Sequence, residues 1–349
     1  MRTFAHSLLQ NLKRQHYSVY LVFGEEPLQH TESVDLIRRY ANSQGFQQRE
    51  VFYIDKRYDW NVFINSSRSL SLFSQKRLLE LRFSSVSVDK AAAKVLLDYL
   101  NRPPPETMLL VDVGKMSKSS RNAAWFREMD KQGLIVQITA VPRQKLLPWL
   151  SARIQAKGMT MEKQALALLA ANVEGNLLAA KQEIDKLFVL YGPSKIEVDA
   201  IQTLVTSSAH FDVYELVDSS LREEYYRIDR ILDNLRAQGV APAVILWALT
   251  REIRVLEKLE FETLQGAQMS QAFRNQNVWD NRKLLLEQAL KRLSLKELHS
   301  LLSYAASVDR VIKGLYTGFV WEALRVLCFA LAGLKIDDKP LMLNYAADR

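Results

Sequence analysis

The chain has 349 residues, 48% of them apolar and 25% charged. That is enough for two or three hydrophobic cores, and it excludes a helical membrane protein, because no apolar run approaches the ~20 residues that cross a bilayer. The 47 Lys and Arg outnumber the 39 Asp and Glu, for a net charge of +8, which favours polyanionic partners, although the charges are interspersed as on an ordinary solvated surface.

In residues 1–15, Arg2, Lys13 and Arg14 surround a few apolar positions without the apolar block of a secretion signal, so this stretch predicts a first helix. Through residue 140, β-rich runs then alternate with helical stretches: Ser18–Phe23, Glu50–Ile54, Arg77–Leu81, Thr107–Val113 and Leu134–Ile138. This is the pattern of a parallel sheet covered on both faces. Between the runs, 32–43 and 89–100 have helical composition, closed by Gly45 and by Pro103, Pro104 and Pro105. From Pro142 helical spacing takes over, punctuated at Gly158, Gly175, Gly192 and Pro193. Between Pro242 and Gly266, Ile245, Leu249, Ile253, Leu256 and Leu259 recur on one helical face, and Arg251, Glu252, Arg254 and Lys258 fall on the other. The expected fold is an α/β domain with a parallel sheet over 1–140, a small all-α domain over 141–210 and an all-α domain over 211–349. A helix bundle of the last kind serves equally as a monomer core or an oligomer collar. Cys328, the single cysteine, sits in an apolar stretch, which excludes a disulfide framework and fits a reducing compartment such as the cytoplasm.

An α/β domain followed by a small helical one is the layout of many ring-forming nucleotide hydrolases, which hold phosphate in a G-x-x-x-x-G-K-[ST] loop after the first strand. Here that strand is followed by Gly24, Glu25, Glu26 and Pro27. Two carboxylates repel phosphate, proline removes a donor, and neither the lysine nor the magnesium-holding hydroxyl follows. The run Met108–Asp112 resembles the strand whose terminal acid holds magnesium in such enzymes, but no second carboxylate follows it, and Asp112 is expected to cap the next turn. His6, His16, His30, His210 and His299 show no metal-ligand spacing, and Glu223 and Glu224 lie on a charged helix face beside Arg222. No intrinsic catalytic site, cofactor or metal is expected.

Three features point to binding. Leu70, Leu72 and Phe73 crowd together after a helix ending near Arg68 and before the basic pair Lys76 and Arg77. Adjacent Leu72 and Phe73 point in different directions in any regular backbone, so either one protrudes as an anchor or all three seal the end of the helix against the domain's own core. Lys115, Lys118 and Arg121 gather in a turn and helix start where phosphate is favoured; a solvated loop is the other reading. Tyr316, between Gly314 and Gly318 and beside Lys313, offers a ring either to stack on an unpaired base or to pack in the bundle.

The segments GEEPL (24–28), FYIDKRYDWNVF (52–63), SLSLFSQKRLLEL (69–81), LVDVGKMSKSSRNAAWF (110–126), EGNLLAAKQEIDKL (174–187), HFDVYELVDSSL (210–221) and VWEAL (320–324), in that order, resemble the delta subunit of the bacterial DNA polymerase III clamp loader across essentially the whole chain. The resemblance implies an ATPase-like first domain without a nucleotide site, a small helical domain and a collar. It further implies a non-hydrolysing place in a pentamer with ATP-hydrolysing gamma or tau subunits and delta prime, within the nucleoid-associated polymerase III holoenzyme. It makes Leu70, Ser71, Leu72 and Phe73 the element that enters a hydrophobic pocket on the beta sliding clamp, opening that ring for loading onto primed DNA, and it turns Tyr316 toward the primer–template junction. Arg68 stands where clamp-binding peptides often begin with glutamine. Two alternatives remain open: a divergent nucleotide hydrolase with an unrecognised phosphate loop, and a delta-prime-like subunit. Against the latter stands the single cysteine, where delta prime usually carries a zinc-binding cluster.

Overall fold

β-rich runs separated by helices place six strands in one sheet: β1 (Arg2–Phe4), β2 (Val19–Gly24), β3 (Gln48–Ile54), β4 (Arg77–Phe83), β5 (Thr107–Val113) and β6 (Leu134–Ile138). The structure, a computed structural model, describes residues 1–68, 76–83, 88–204, 209, 211–335 and 344–345. Every pairing in the sheet is parallel, in the order β1-β6-β2-β5-β4-β3. Near-continuous apolar runs suit strands covered on both faces. Along β5, alternation sends Leu109, Val111 and Val113 to one core and Met108 and Leu110 to the other. Helices α1 (Leu8–Arg14) and α2 (Pro27–Ser43) cover the second face. The first is covered by α3 (Trp60–Arg68), α4 (Lys90–Asn101) and α6 (Ala124–Gln132), with the one-turn α5 (Lys118–Arg121) leading into α6.

One expectation is corrected at the amino terminus. Residues 2–4 extend the sheet beside β6, with Arg2 opposite Ile135; a 3-10 turn over Ala5–Ser7 follows, and the expected α-helix spans only Leu8–Arg14. The strand is fixed by tertiary partners: the Met1 ammonium donates to the Gly133 carbonyl at 2.9 Å and Arg2 Nε to Asp130 Oδ2 at 2.8 Å. Three residues are too few for periodicity to reveal.

Beyond the sheet, α7 (Arg143–Ala156), α8 (Lys163–Val173), α9 (Leu177–Tyr191) and α10 (Val198–Leu204) enclose a separate core that Leu28 of α2 joins. Contacts divide the chain into two compact units, Met1–Ser207 and Ser208–Arg349. The second contains α11 (Val213–Leu221), α12 (Tyr225–Ala237), α13 (Pro242–Leu264), α14 (Met269–Asn275), α15 (Asp280–Leu290), α16 (Leu295–Ile312) and α17 (Val320–Leu331). Its axis is α13, whose Ile245, Leu249, Ile253, Leu256 and Leu259 are each 0% exposed. Reciprocal capping boxes start α11 at Asp212 and Glu215 and α16 at Ser294 and Glu297. Cys328 of α17 is fully buried, which pushes its thiol pKa up to about 12 and leaves it inert.

Candidate functional site

In an open parallel sheet, ligands bind beyond the carboxyl ends of the strands where the strand order reverses. Here that place is the end of β2, which lies between β5 and β6. Gly24 closes β2 at φ +141°, and a Cβ there would stand 2.1 Å from the Ile138 carbonyl oxygen, so only glycine lets β2 and β6 run so close. The chain then turns into α2, whose N-cap is Glu26. Its carboxylate accepts from the Leu28 N–H at 3.3 Å and the Gln29 N–H at 2.7 Å, and Pro27 contributes no N–H at all. The helix terminus that would attract a phosphate is therefore filled by an anion of the chain's own.

Three more contacts close this corner. His30 Nε2 lies 2.6 Å from Asp112 Oδ1 at the end of β5, Lys115 Nζ lies 2.9 Å from Glu25 Oε1, and Gln29 Nε2 donates to the Thr139 carbonyl at 3.0 Å. Asp112 was expected to cap the next turn; its carboxylate instead reaches across to α2, because the parallel sheet brings the end of β5 beside the start of that helix.

Of the predicted DNA-contacting residues, Lys115, Lys118 and Arg121 come together on one loop of the first unit. Lys115 and Lys118 are exposed and Arg121 is half-buried, with its Nε enclosed and without a hydrogen-bond partner. Ser117 Oγ caps α5 by accepting from the Ser120 N–H at 3.1 Å. Tyr316 belongs to the second unit. It is half-buried; Arg310 Nη1 donates to its hydroxyl at 3.0 Å and the guanidinium carbon lies 5.4 Å from the ring centroid. Arg310, in the last turn of α16, escaped the sequence reading, although a basic residue one or two turns from a nominated tyrosine is a usable signal.

Leu70, Ser71, Leu72 and Phe73 lie outside the described residues. The chain on either side of them is firmly held. Arg77, at the start of β4, is 7% exposed and its Nη1 donates to the Ser66 carbonyl in α3 at 3.2 Å and to Glu50 Oε1 at 3.4 Å. Ser66 Oγ bonds the other Glu50 oxygen. Glu50 was not singled out from the sequence, and Arg77, read there as half of a basic pair with Lys76, is instead buried and paired with Glu50; an ion pair spanning distant elements leaves no local pattern.

Comparison with known proteins gives this scaffold its class. The family described as "DNA polymerase III, delta subunit" matches residues 20–139, and "Processivity clamp loader gamma complex DNA pol III C-term" matches residues 213–338. The class is that of clamp-loader subunits. The chain is 30% identical to DNA polymerase III subunit delta of Escherichia coli (strain K12) over 340 residues, covering 97% of this chain and 98% of that protein. With the same subunit of Haemophilus influenzae the identity is 28%, over 91% and 94% of the two chains. A solved structure, the Bacillus subtilis DNA clamp loader delta protein (YqeN), shares the fold at a TM-score of 0.50 and 19% identity, covering 94% of this chain and 99% of that one. The chain belongs to the delta-subunit family of DNA polymerase III.

Proposed function

We propose that this clamp-loader delta subunit grips and opens the beta sliding clamp without binding or hydrolysing ATP. A ring closed by a protein interface opens when a partner binds the open form more tightly, and only by that difference in affinity. No nucleotide chemistry is required of the subunit that does this. In the proposal, residues 1–140 form the clamp-binding domain, 141–210 a small helical domain and 211–349 a collar that joins gamma or tau subunits and delta prime in the cytoplasm. Leu70, Ser71, Leu72 and Phe73 dock into the clamp, and the firmly held ends of α3 and β4 on either side of them support the reading.

The observation that carries the reading is the Glu26 carboxylate at the start of α2. A phosphate arriving there would meet one carboxylate on the helix terminus, a second in Glu25, and a proline where a donor is needed. Isothermal titration of the purified chain with Mg-ATP tests it. No saturable heat is expected up to millimolar nucleotide; micromolar binding would favour a divergent hydrolase.

For primer–template DNA, Lys115, Lys118, Arg121 and Tyr316 are the proposed contacts. Lys115 must exchange Glu25 for phosphate to take part. A Lys118→Ala/Arg121→Ala variant should bind junction DNA with a salt slope shallower by about 2. Tyr316→Ala should bind more weakly at every salt concentration, and unaltered loading would remove Tyr316 from the site.

A further inference from the structure

The outward face of α13 carries Val244, Trp247, Arg251, Arg254, Lys258 and Phe261, a stripe with steps of three and four residues opposite the helix's buried face. Trp247 is 55% exposed. Beside the stripe a groove of about 690 Å³ runs between α13 and α16, floored by the small residues Ala305 and Ala306. Among the described residues, Arg251, Arg254 and Lys258 have no carboxylate partner. Three acids of the same helix are engaged elsewhere: Glu252 with Arg282 at 2.8 Å, Glu257 with His299 at 3.4 Å and Glu262 with Asn275 at 2.8 Å. The groove's one acid, Asp309, is neutralised by Lys313 at 2.6 Å. Within the stripe, the Arg251 guanidinium lies 5.7 Å from the Trp247 ring centroid.

We propose that this groove is a track for single-stranded nucleic acid. Protein–protein interfaces place apolar residues at the centre and charge at the rim. The α13 stripe has the reverse order, with three bare cations in the middle and apolar or aromatic residues at the ends. That arrangement suits a strand whose phosphates meet successive cations, spread over about 10 Å of helix axis, while a base stacks on an exposed indole.

The track has a direction. Glu257 meets His299 while residues 243–258 of α13 face residues 302–309 of α16 across the groove, so the two helices run antiparallel and Trp247 lies at the end of the groove that holds Asp309. The next residue, Arg310, is the one that holds Tyr316. A strand leaving Tyr316 would meet Trp247 first, and then Arg251, Arg254 and Lys258. This direction rests on the junction reading of Tyr316, whereas the groove itself does not.

The test uses the full chain and a fluorescein-labelled oligo(dT) of ~20 nucleotides, followed by anisotropy across a salt series. Arg251→Ala/Arg254→Ala/Lys258→Ala is expected to lose tenfold or more in affinity at low salt, with a log–log salt slope shallower by about 2. Trp247→Ala is expected to lose about fivefold or more with its slope unchanged. Tyr316→Ala separates the two readings: if it binds junction DNA like wild type while the triple variant still loses oligo(dT), the junction reading fails and the track stands. A triple variant that melts like wild type and binds oligo(dT) with unchanged affinity and slope overturns the track. If that same variant instead fails to co-elute with the other clamp-loader subunits, the stripe is a protein interface.

Discussion

At the corner where β2 gives way to α2, Glu26 caps the helix, Glu25 pairs with Lys115 and Asp112 pairs with His30. Along α13, Arg251, Arg254 and Lys258 face a groove with no carboxylate bonded to any of them among the described residues. Both places are accessible charged surfaces on helices packed over a core, so burial does not explain the difference. What differs is where the countercharge comes from. A corner that neutralises itself has little electrostatic free energy to offer an incoming anion, whereas bare cations keep theirs for a partner. The contrast is the physical ground for proposing that an anion is bound along α13 and not at the corner.

If self-neutralised charge is structural and bare charge is not, substitutions should separate the two in stability. The largest effect is expected at Glu80, which is 0% exposed in β4. It accepts from Arg38 Nε at 3.0 Å, from Arg49 Nε at 2.8 Å and from Arg82. Glu80→Ala takes that carboxylate from three part-exposed guanidinium groups, of which Arg38 keeps Asp35, and should cost about 1.5–3 kcal/mol in urea unfolding. Burial alone would raise the Glu80 pKa, but hydrogen bonds from Arg38 and Arg82 outweigh it and hold the carboxyl below its ordinary value. A lowered folded-state pKa means that this stabilisation is complete above about pH 4.3 and disappears as pH falls through the folded value. Wild type should therefore lose more stability than Glu80→Gln on acidification below about pH 4; equal acid sensitivity would contradict the pairing.

A smaller loss, about 0.5–2 kcal/mol, is expected for Glu26→Ala, since the Leu28 and Gln29 N–H groups lose their cap. Thermal melts of the variant against wild type would measure it, and an unchanged midpoint would mean that water replaces the carboxylate at no cost. Smallest of all, Arg251→Ala/Arg254→Ala/Lys258→Ala should stay within about 0.5 kcal/mol of wild type. A large loss there would show that the groove's cations serve the fold and would collapse the contrast between the two regions.

The sheet was readable because β2, β5 and β6 are mostly apolar runs and β3 and β4 carry apolar β-formers between helical stretches, and α13 was readable residue by residue because its buried face repeats without interruption. Likewise α7, α8 and α9 stop just before Gly158, Gly175 and Gly192, as the punctuation predicts. The strand at residues 2–4 was not legible, because it exists through pairing with β6, more than a hundred residues away. At the phosphate corner, the repulsion by Glu25 and Glu26 could be read from composition. That Glu26 serves as the helix's own cap required one further step: Pro27 marks the first helical position and so puts Glu26 at the cap, although glutamate is not a usual capping residue. The pairing of His30 with Asp112 leaves no local trace, as the two lie 82 residues apart. Tyr316 was named for its ring, and the Arg310 that orients it was missed for the same reason.

The most direct test is surface plasmon resonance of the isolated chain on immobilised sliding clamp, with and without Mg-ATP, for wild type and Leu72→Ala/Phe73→Ala. Wild type should bind equally well under both conditions, and the variant should bind at least tenfold more weakly, since each lost side chain removes about 1.5–3 kcal/mol of burial. Undiminished binding by a folded variant, or binding by the isolated wild-type chain that requires ATP, would contradict a nucleotide-free grip on the ring.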